Sequence, residues 1–202
     1  MKHTKIILAF IILLGAFLRI YGLGDESFWI DESETVYAST QSSLTTVLKN
    51  VYYRNTAAPE YFEEEGGKGS MPFYFTLTYY WTRIFGLGEF KLRILSALFG
   101  IASIYLTFLV SRTILNEKIA LLSAFLISIN YYNVYYSQEA RSYSFLVFIT
   151  LLGIYFFIKA LNENMSGNCV PVSEHTRKSP IFDENKYWVA YTASRIVLLY
   201  TH

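Results

Sequence analysis

The sequence predicts an all-α membrane protein: multi-pass transmembrane helices with a long first extracytoplasmic loop that carries juxtamembrane helices of its own. Three observations predict it. Hydrophobic residues make up 53% of the 202-residue chain and charged residues only 16%, where a soluble domain runs nearer a quarter charged. The apolar residues are gathered into runs approaching the length needed to cross a bilayer. The charged residues cluster at the ends of those runs, where a membrane–water boundary tolerates them.

Lys2 and Lys5 precede an apolar run from Ile6 that continues past Arg19 to Leu23. A basic start and a short apolar run also suit a signal peptide, but Arg19-Ile-Tyr-Gly-Leu-Gly-Asp-Glu offers no small-residue cleavage site. Residues 6–23 are therefore predicted as a first span with a cytoplasmic amino terminus. An outer loop follows over 24–91. Within it Glu63–Gly69 is a solvated, Gly-rich tail, and the Met71–Phe85 run is short and interrupted by Thr76, Thr78, Thr82 and Arg83. Further spans are predicted at 92–112, 119–136 and 143–161, then a cytoplasmic loop at 162–186. A last apolar stretch at 187–202 is expected to be a membrane helix that the chain truncates.

The topology turns on residues 71–86. If they span the bilayer, Asp31 and Glu139 fall on opposite sides. If they lie in the interface, both face outward, and Arg112, Lys118, Lys159 and Lys186 fall inside, as positive-inside counting requires. The short run favours the interfacial helix. The sequon Asn164-Met165-Ser166 is then cytoplasmic and reads as chance.

Composition excludes some functions. A net charge of +1 gives no footprint for nucleic acid. The lone Cys169 excludes an internal disulfide and has no metal-site spacing, so it reads as inert. The 18 Tyr and 16 Phe suit a bilayer boundary or walls that pack against lipid or sugar.

Two polar stretches carry candidate chemistry. Trp29-Ile30-Asp31-Glu32 follows the first span, and adjacent carboxylates can supply a general base, a metal ligand or both. The plainer reading is an acidic, solvated helix start. Ser137-Gln138-Glu139-Ala140-Arg141-Ser142-Tyr143 lies between two apolar runs. Charges there cost energy unless paired or facing an aqueous cavity, so Glu139 and Arg141 are either functional or a structural pair. Arg93, entering the third run after Lys91, suits snorkelling or a phosphate contact.

At these residues the chain resembles the membrane glycosyltransferases of the GT-C fold, the group containing protein O-mannosyltransferases and aminoarabinose transferases. The matching stretches are Leu18-Arg19-Ile20-Tyr21 through Trp29-Ile30-Asp31-Glu32, Met71-Pro72-Phe73-Tyr74-Phe75, Phe85 through Arg93 with Ser96–Gly100, and Tyr136 through Tyr143. The closing Tyr200-Thr201-His202 is similar to a position late in a family helix. The resemblance implies sugar transfer from a polyprenyl-phosphate donor to a glycan, lipid or protein acceptor on the outer face of a cell membrane. It implies Asp31 as catalytic base or acceptor-positioning acid, Glu139 as the acidic residue of the second outer loop, and Arg141 as a donor-phosphate contact. Glu32 and Arg93 are further substrate-binding candidates, and Asp31 and Glu139 are the candidates for holding a divalent metal. The family commonly has His-Pro-Pro or Pro-Pro where this chain has Met71-Pro72, so no histidine contact carries over. Family members have more membrane helices, so the chain alone is expected to be inactive.

Two other readings stay open. A transporter or channel subunit would show Gly/Pro-broken helices and charges near the bilayer midplane. An inactive membrane remnant would show no transfer at all.

Overall fold

Nine α-helices and no strand are present among the residues that the computed structural model describes, 2–53, 71–167 and 186–200. The Gly-rich tail 63–69, most of the predicted loop 162–186 with Cys169, and the closing Thr201-His202 lie outside the described residues.

The first apolar run forms α1, Lys2–Ile20. It ends before the predicted Leu23 because Gly22 takes φ 70°, a left-handed conformation that costs glycine little and stops a helix. Two helices, α2 (Ile30–Thr40) and α3 (Leu44–Tyr53), follow. Next come α4 (Pro72–Phe85) and α5 (Glu89–Ile114). Pro72 suits the first turn of α4 because its missing N–H would be an orphan there anyway. The chain continues as α6 (Glu117–Ile129), α7 (Tyr131–Tyr135), α8 (Tyr143–Gly167) and α9 (Lys186–Leu199).

The predicted third span, 119–136, is not one helix. It breaks at Asn130, whose backbone leaves the helical region (φ −63°, ψ 123°) and whose side chain accepts from the Asn133 N–H at 3.0 Å. Asn competes for backbone hydrogen bonds and is a strong N-cap, so it ends α6 and starts α7. The orphan carbonyls at the end of α6 are taken by a buried cation from α1. Arg19 donates to Ile127 O at 3.1 Å and Ser128 O at 2.9 Å, a favourable charge at a helix C-terminus. At 13 residues α6 is about 20 Å long, short of a ~30 Å hydrocarbon core.

α5 is the central element and packs against α1, α4, α6 and α8, while α9 packs along α8 and α2 and α3 lie on α4. One apolar core joins α1, α5 and α6 through Leu8, Ile11, Ile104, Phe108, Ala120 and Ala124. The other joins α2, α3, α4 and α8 through Ala38, Val47, Tyr74, Phe75, Phe145 and Ile149. Phe99 of α5 extends the second core, edge-on to Phe145 with ring centroids 4.9 Å apart.

Large apolar side chains also face outward. Ile6, Phe10, Leu13 and Phe17 form an exposed stripe on α1, and Leu122, Phe125, Leu126 and Ile129 another on α6. Water would not tolerate faces of this size; lipid does. Among the described residues three helices are long and apolar enough to cross a membrane, over His3–Ile20, Glu89–Ile114 and Tyr143–Glu163. The protein is an all-α membrane protein. The interfacial candidate α4 has 14 residues, below the length of those three.

Close approach of α5 to its neighbours depends on Gly100. A Cβ there would collide with Ser137 Oγ and come 3.0 Å from Arg19 Nε. Both neighbours are held, Ser137 by a hydrogen bond to Asn133 O and Arg19 as described. Gly100→Ala is therefore expected to destabilise the bundle by about 1–3 kcal/mol, the usual cost of overpacking. A fall in the midpoint of thermal unfolding in detergent measures it; an unchanged midpoint would show that the Arg19 contact yields freely.

Candidate active site

The polar stretches meet at one end of the bundle, where α1 ends and α5 and α8 begin. α2 starts at Ile30, so Asp31 and Glu32 sit in its first turn, where the helix dipole favours acidic residues. Glu32 is third in the helix and reaches back to accept the Trp29 N–H at 3.3 Å, half of a capping box. The same carboxylate, fully buried, accepts from Arg93 Nε at 2.8 Å and Nη2 at 2.6 Å, and from the Ala140 N–H at 2.7 Å. A carboxylate has about four acceptor sites, and all are used. One side chain thereby joins α2, α5 and the Ser137–Ser142 loop.

Arg93 is equally committed. Its remaining hydrogens go to Leu23 O at 3.2 Å, Glu26 O at 2.7 Å and Ser27 O at 3.1 Å. A guanidinium has five donors, and five bonds are made. The phosphate contact and the substrate role expected of Arg93 and Glu32 thus find no free donor or acceptor. Both residues instead pin the 23–27 turn and the start of α2 to the bundle.

The loop carrying Glu139 and Arg141 is held from several sides. Gln138 Nε2 donates to Leu18 O and Tyr21 O, both at 3.1 Å, closing the C-terminus of α1. Ser96 Oγ donates to Arg141 O at 3.1 Å and shares a 2.9 Å hydrogen bond with the Tyr74 hydroxyl. The Ser142 hydroxyl points at Met71 Sδ, 3.0 Å away. The Arg141 side chain turns back toward α2, where its Nη1 donates to Asp31 O and to Glu34 Oε2, each at 2.8 Å. Its Nε is buried without a hydrogen bond. Arg141 keeps donor capacity that Arg93 lacks.

Three acidic side chains line the start of α2, and two are neutralised: Glu32 by Arg93 and Glu34 by Arg141. Asp31 differs. Its side chain is half-exposed and its carboxylate has no hydrogen-bond partner among the described residues. Across from it Glu139 is almost wholly buried, and neither of its oxygens has a hydrogen bond of normal geometry. Burial holds the Glu139 carboxyl above the ordinary glutamate range. The Tyr135 hydroxyl pulls the other way, Glu32 and Asp31 push it further up, and Arg141 offsets part of that.

The structure therefore brings Asp31, Glu139 and Arg141 together and sets Glu32 and Arg93 behind them as supports. Gln138, Ser96 and Tyr74 lie in stretches quoted from the sequence but were given no role there, and Tyr135 was not singled out. Tyr135 precedes Glu139 by four residues, but one tyrosine among 18 carries no signal of its own. Among the described residues no group of three or more His, Cys, Asp or Glu comes together as a metal site.

No curated protein and no solved structure matches the chain. The family model for dolichyl-phosphate-mannose-protein mannosyltransferase matches residues 69–169, which include Arg93, Glu139 and Arg141, while Asp31 and Glu32 lie upstream of the match. With half of its length matched and its apolar helices in place, this membrane chain belongs to the dolichyl-phosphate-mannose-protein mannosyltransferase family of glycosyltransferases.

Proposed function

We propose that the chain forms the carboxylate side of a site that transfers a sugar from a polyprenyl-phosphate donor to an acceptor hydroxyl or amine at the outer face of the membrane. One observation supports it above the others. Of the acidic side chains at the start of α2, Asp31 alone has neither an ion-pair partner nor a hydrogen bond among the described residues, and its charge acts on a second, buried carboxyl, Glu139.

In this reading Asp31 takes the proton of the acceptor as its oxygen or nitrogen attacks the anomeric carbon. The bond from that carbon to the phosphate oxygen breaks, and the electron pair leaves with the polyprenyl phosphate. Arg141 stabilises the negative charge gathering there. A lipid-linked donor suits such a site because its tail stays in the bilayer while its phosphosugar sits at headgroup level. A divalent metal taking part would rest on Asp31 and Glu139. The test is transfer of labelled sugar from a polyprenyl-phosphate donor by the full-length protein in proteoliposomes, with acceptor added to one face. Transfer confined to the inner face, or absent, overturns the proposal.

Glu139 gives a second readout through pH. Below the ordinary glutamate pKa the carboxyl is protonated in both folded and unfolded chains and contributes nothing. As pH rises past that value the unfolded chain ionises first, so stability falls until the raised folded pKa is reached, and the deficit then persists. Glu139→Gln is therefore expected to unfold at a higher temperature than the parent at neutral pH, with no gain in acid, while transferring less sugar. Lower stability at neutral pH would mean that the buried carboxylate is held by contacts that favour its charge.

A further inference from the structure

At the end of the bundle away from the carboxylates, α1 and α5 leave a groove of about 320 Å³. Lys5 is fourteen residues, about 21 Å, from Arg19 along α1, and Arg112 is nineteen residues, about 28 Å, from Arg93 along α5. The groove therefore opens near the far membrane boundary of two helices that are long enough to span. Its floor is apolar, built from Leu8, Ile12, Phe108 and Leu109, with Tyr105 deeper along α5. Its mouth carries Lys5, Arg112 and Glu117. Both cations are exposed, and neither has an ion pair or hydrogen bond among the described residues; Arg112 lies 5.9 Å over the Phe108 ring.

We propose that this groove binds one anionic phospholipid, with its phosphate between Lys5 and Arg112 and the start of an acyl chain along the apolar floor. Two unpaired cations and one carboxylate leave the mouth with a net positive charge, which complements a lipid of net negative charge and disfavours a neutral one. Position matters as much as charge. The cations stand at headgroup depth and the floor runs toward the hydrocarbon, the order of groups along a phospholipid. Cations that only snorkel need no cleft between them, whereas basic pockets between membrane helices hold acidic headgroups. The site does not depend on the sugar-transfer reading.

The test uses the full chain in phosphatidylcholine nanodiscs doped with phosphatidylglycerol, with retained lipid counted by native mass spectrometry. Phosphatidylglycerol should be retained over phosphatidylcholine. Lys5→Gln and Arg112→Gln should each weaken retention about five-fold, and the pair about twenty-five-fold, since each cation near an anionic lipid is worth about 1 kcal/mol. Glu117→Gln should strengthen it. Ala9→Phe, an exposed position in the groove lining, should block retention with every charge intact, and the charge-conserving pair Lys5→Arg with Arg112→Lys should preserve it. Unchanged retention in the double Gln variant overturns the proposal. So does weaker retention in Glu117→Gln, the sign expected of an aminophospholipid whose ammonium sits on that carboxylate.

Discussion

Asp31→Asn is expected to lower kcat for sugar transfer by about 10²–10⁴-fold in the full-length protein, the usual contribution of a general base. The change keeps the size of the side chain and removes only its basic charge. It should also leave the fold intact, because the Asp31 carboxylate supports no described neighbour; Arg141 is held by the Asp31 carbonyl and by Glu34. Glu34→Gln is the matched control. It weakens the pair that holds Arg141 and should reduce transfer far less, mainly through donor binding. Rates compared at equal protein in membranes decide the matter. Near-parental transfer by Asp31→Asn alongside a loss in Glu139→Gln would move the base to Glu139 and leave Asp31 a solvated residue.

Arg93→Met is expected to cost about 3–5 kcal/mol of stability, the range for removing one partner of a buried ion pair. The variant strands Glu32, which has no exposure to solvent, and leaves the carbonyls of Leu23, Glu26 and Ser27 without their donor. Loss of the monodisperse species on heating in detergent would register it. Adding Glu32→Leu should recover part of the loss, because apolar residues often replace a buried pair at little cost. Recovery stays partial, since the Trp29 and Ala140 N–H groups lose their acceptor. The experiment separates two roles for Arg93. A variant with parental stability and no transfer would place the guanidinium on the substrate, against the five bonds it makes within the chain.

Both expectations depend on neighbours that are remote in sequence, which no single stretch of the chain displays. Asp31, Glu139 and Arg141 were legible as polar groups at the edges of apolar runs, where charge is expensive enough to be noticed. Glu32 and Arg93 were legible for the same reason, but not as partners of one another. Nothing in a sequence shows that residues 61 positions apart make a bidentate pair, and a paired cation and a waiting one are written with the same letter. The break at Asn130 was hidden likewise. A polar residue in a long apolar run can face a neighbour or end the helix, and here Arg19, 109 residues before Ser128, takes the carbonyls that the break leaves open.

The sequence by itself determined the class and the solvent. The low charge, the apolar runs and the polar hinges require helices in a bilayer, because lipid leaves no other partner for the backbone groups of such segments. It also carries end signals for α4 and α6, in Pro72, Gly86 and the Asn116 cap. Only the tertiary structure decided which charges are spent on the fold and which are left for chemistry. That division is a count of hydrogen bonds around each charged group, and most of those bonds join segments that meet only once the bundle has formed. Glu32 has four such bonds, Arg93 five and the Asp31 carboxylate none among the described residues.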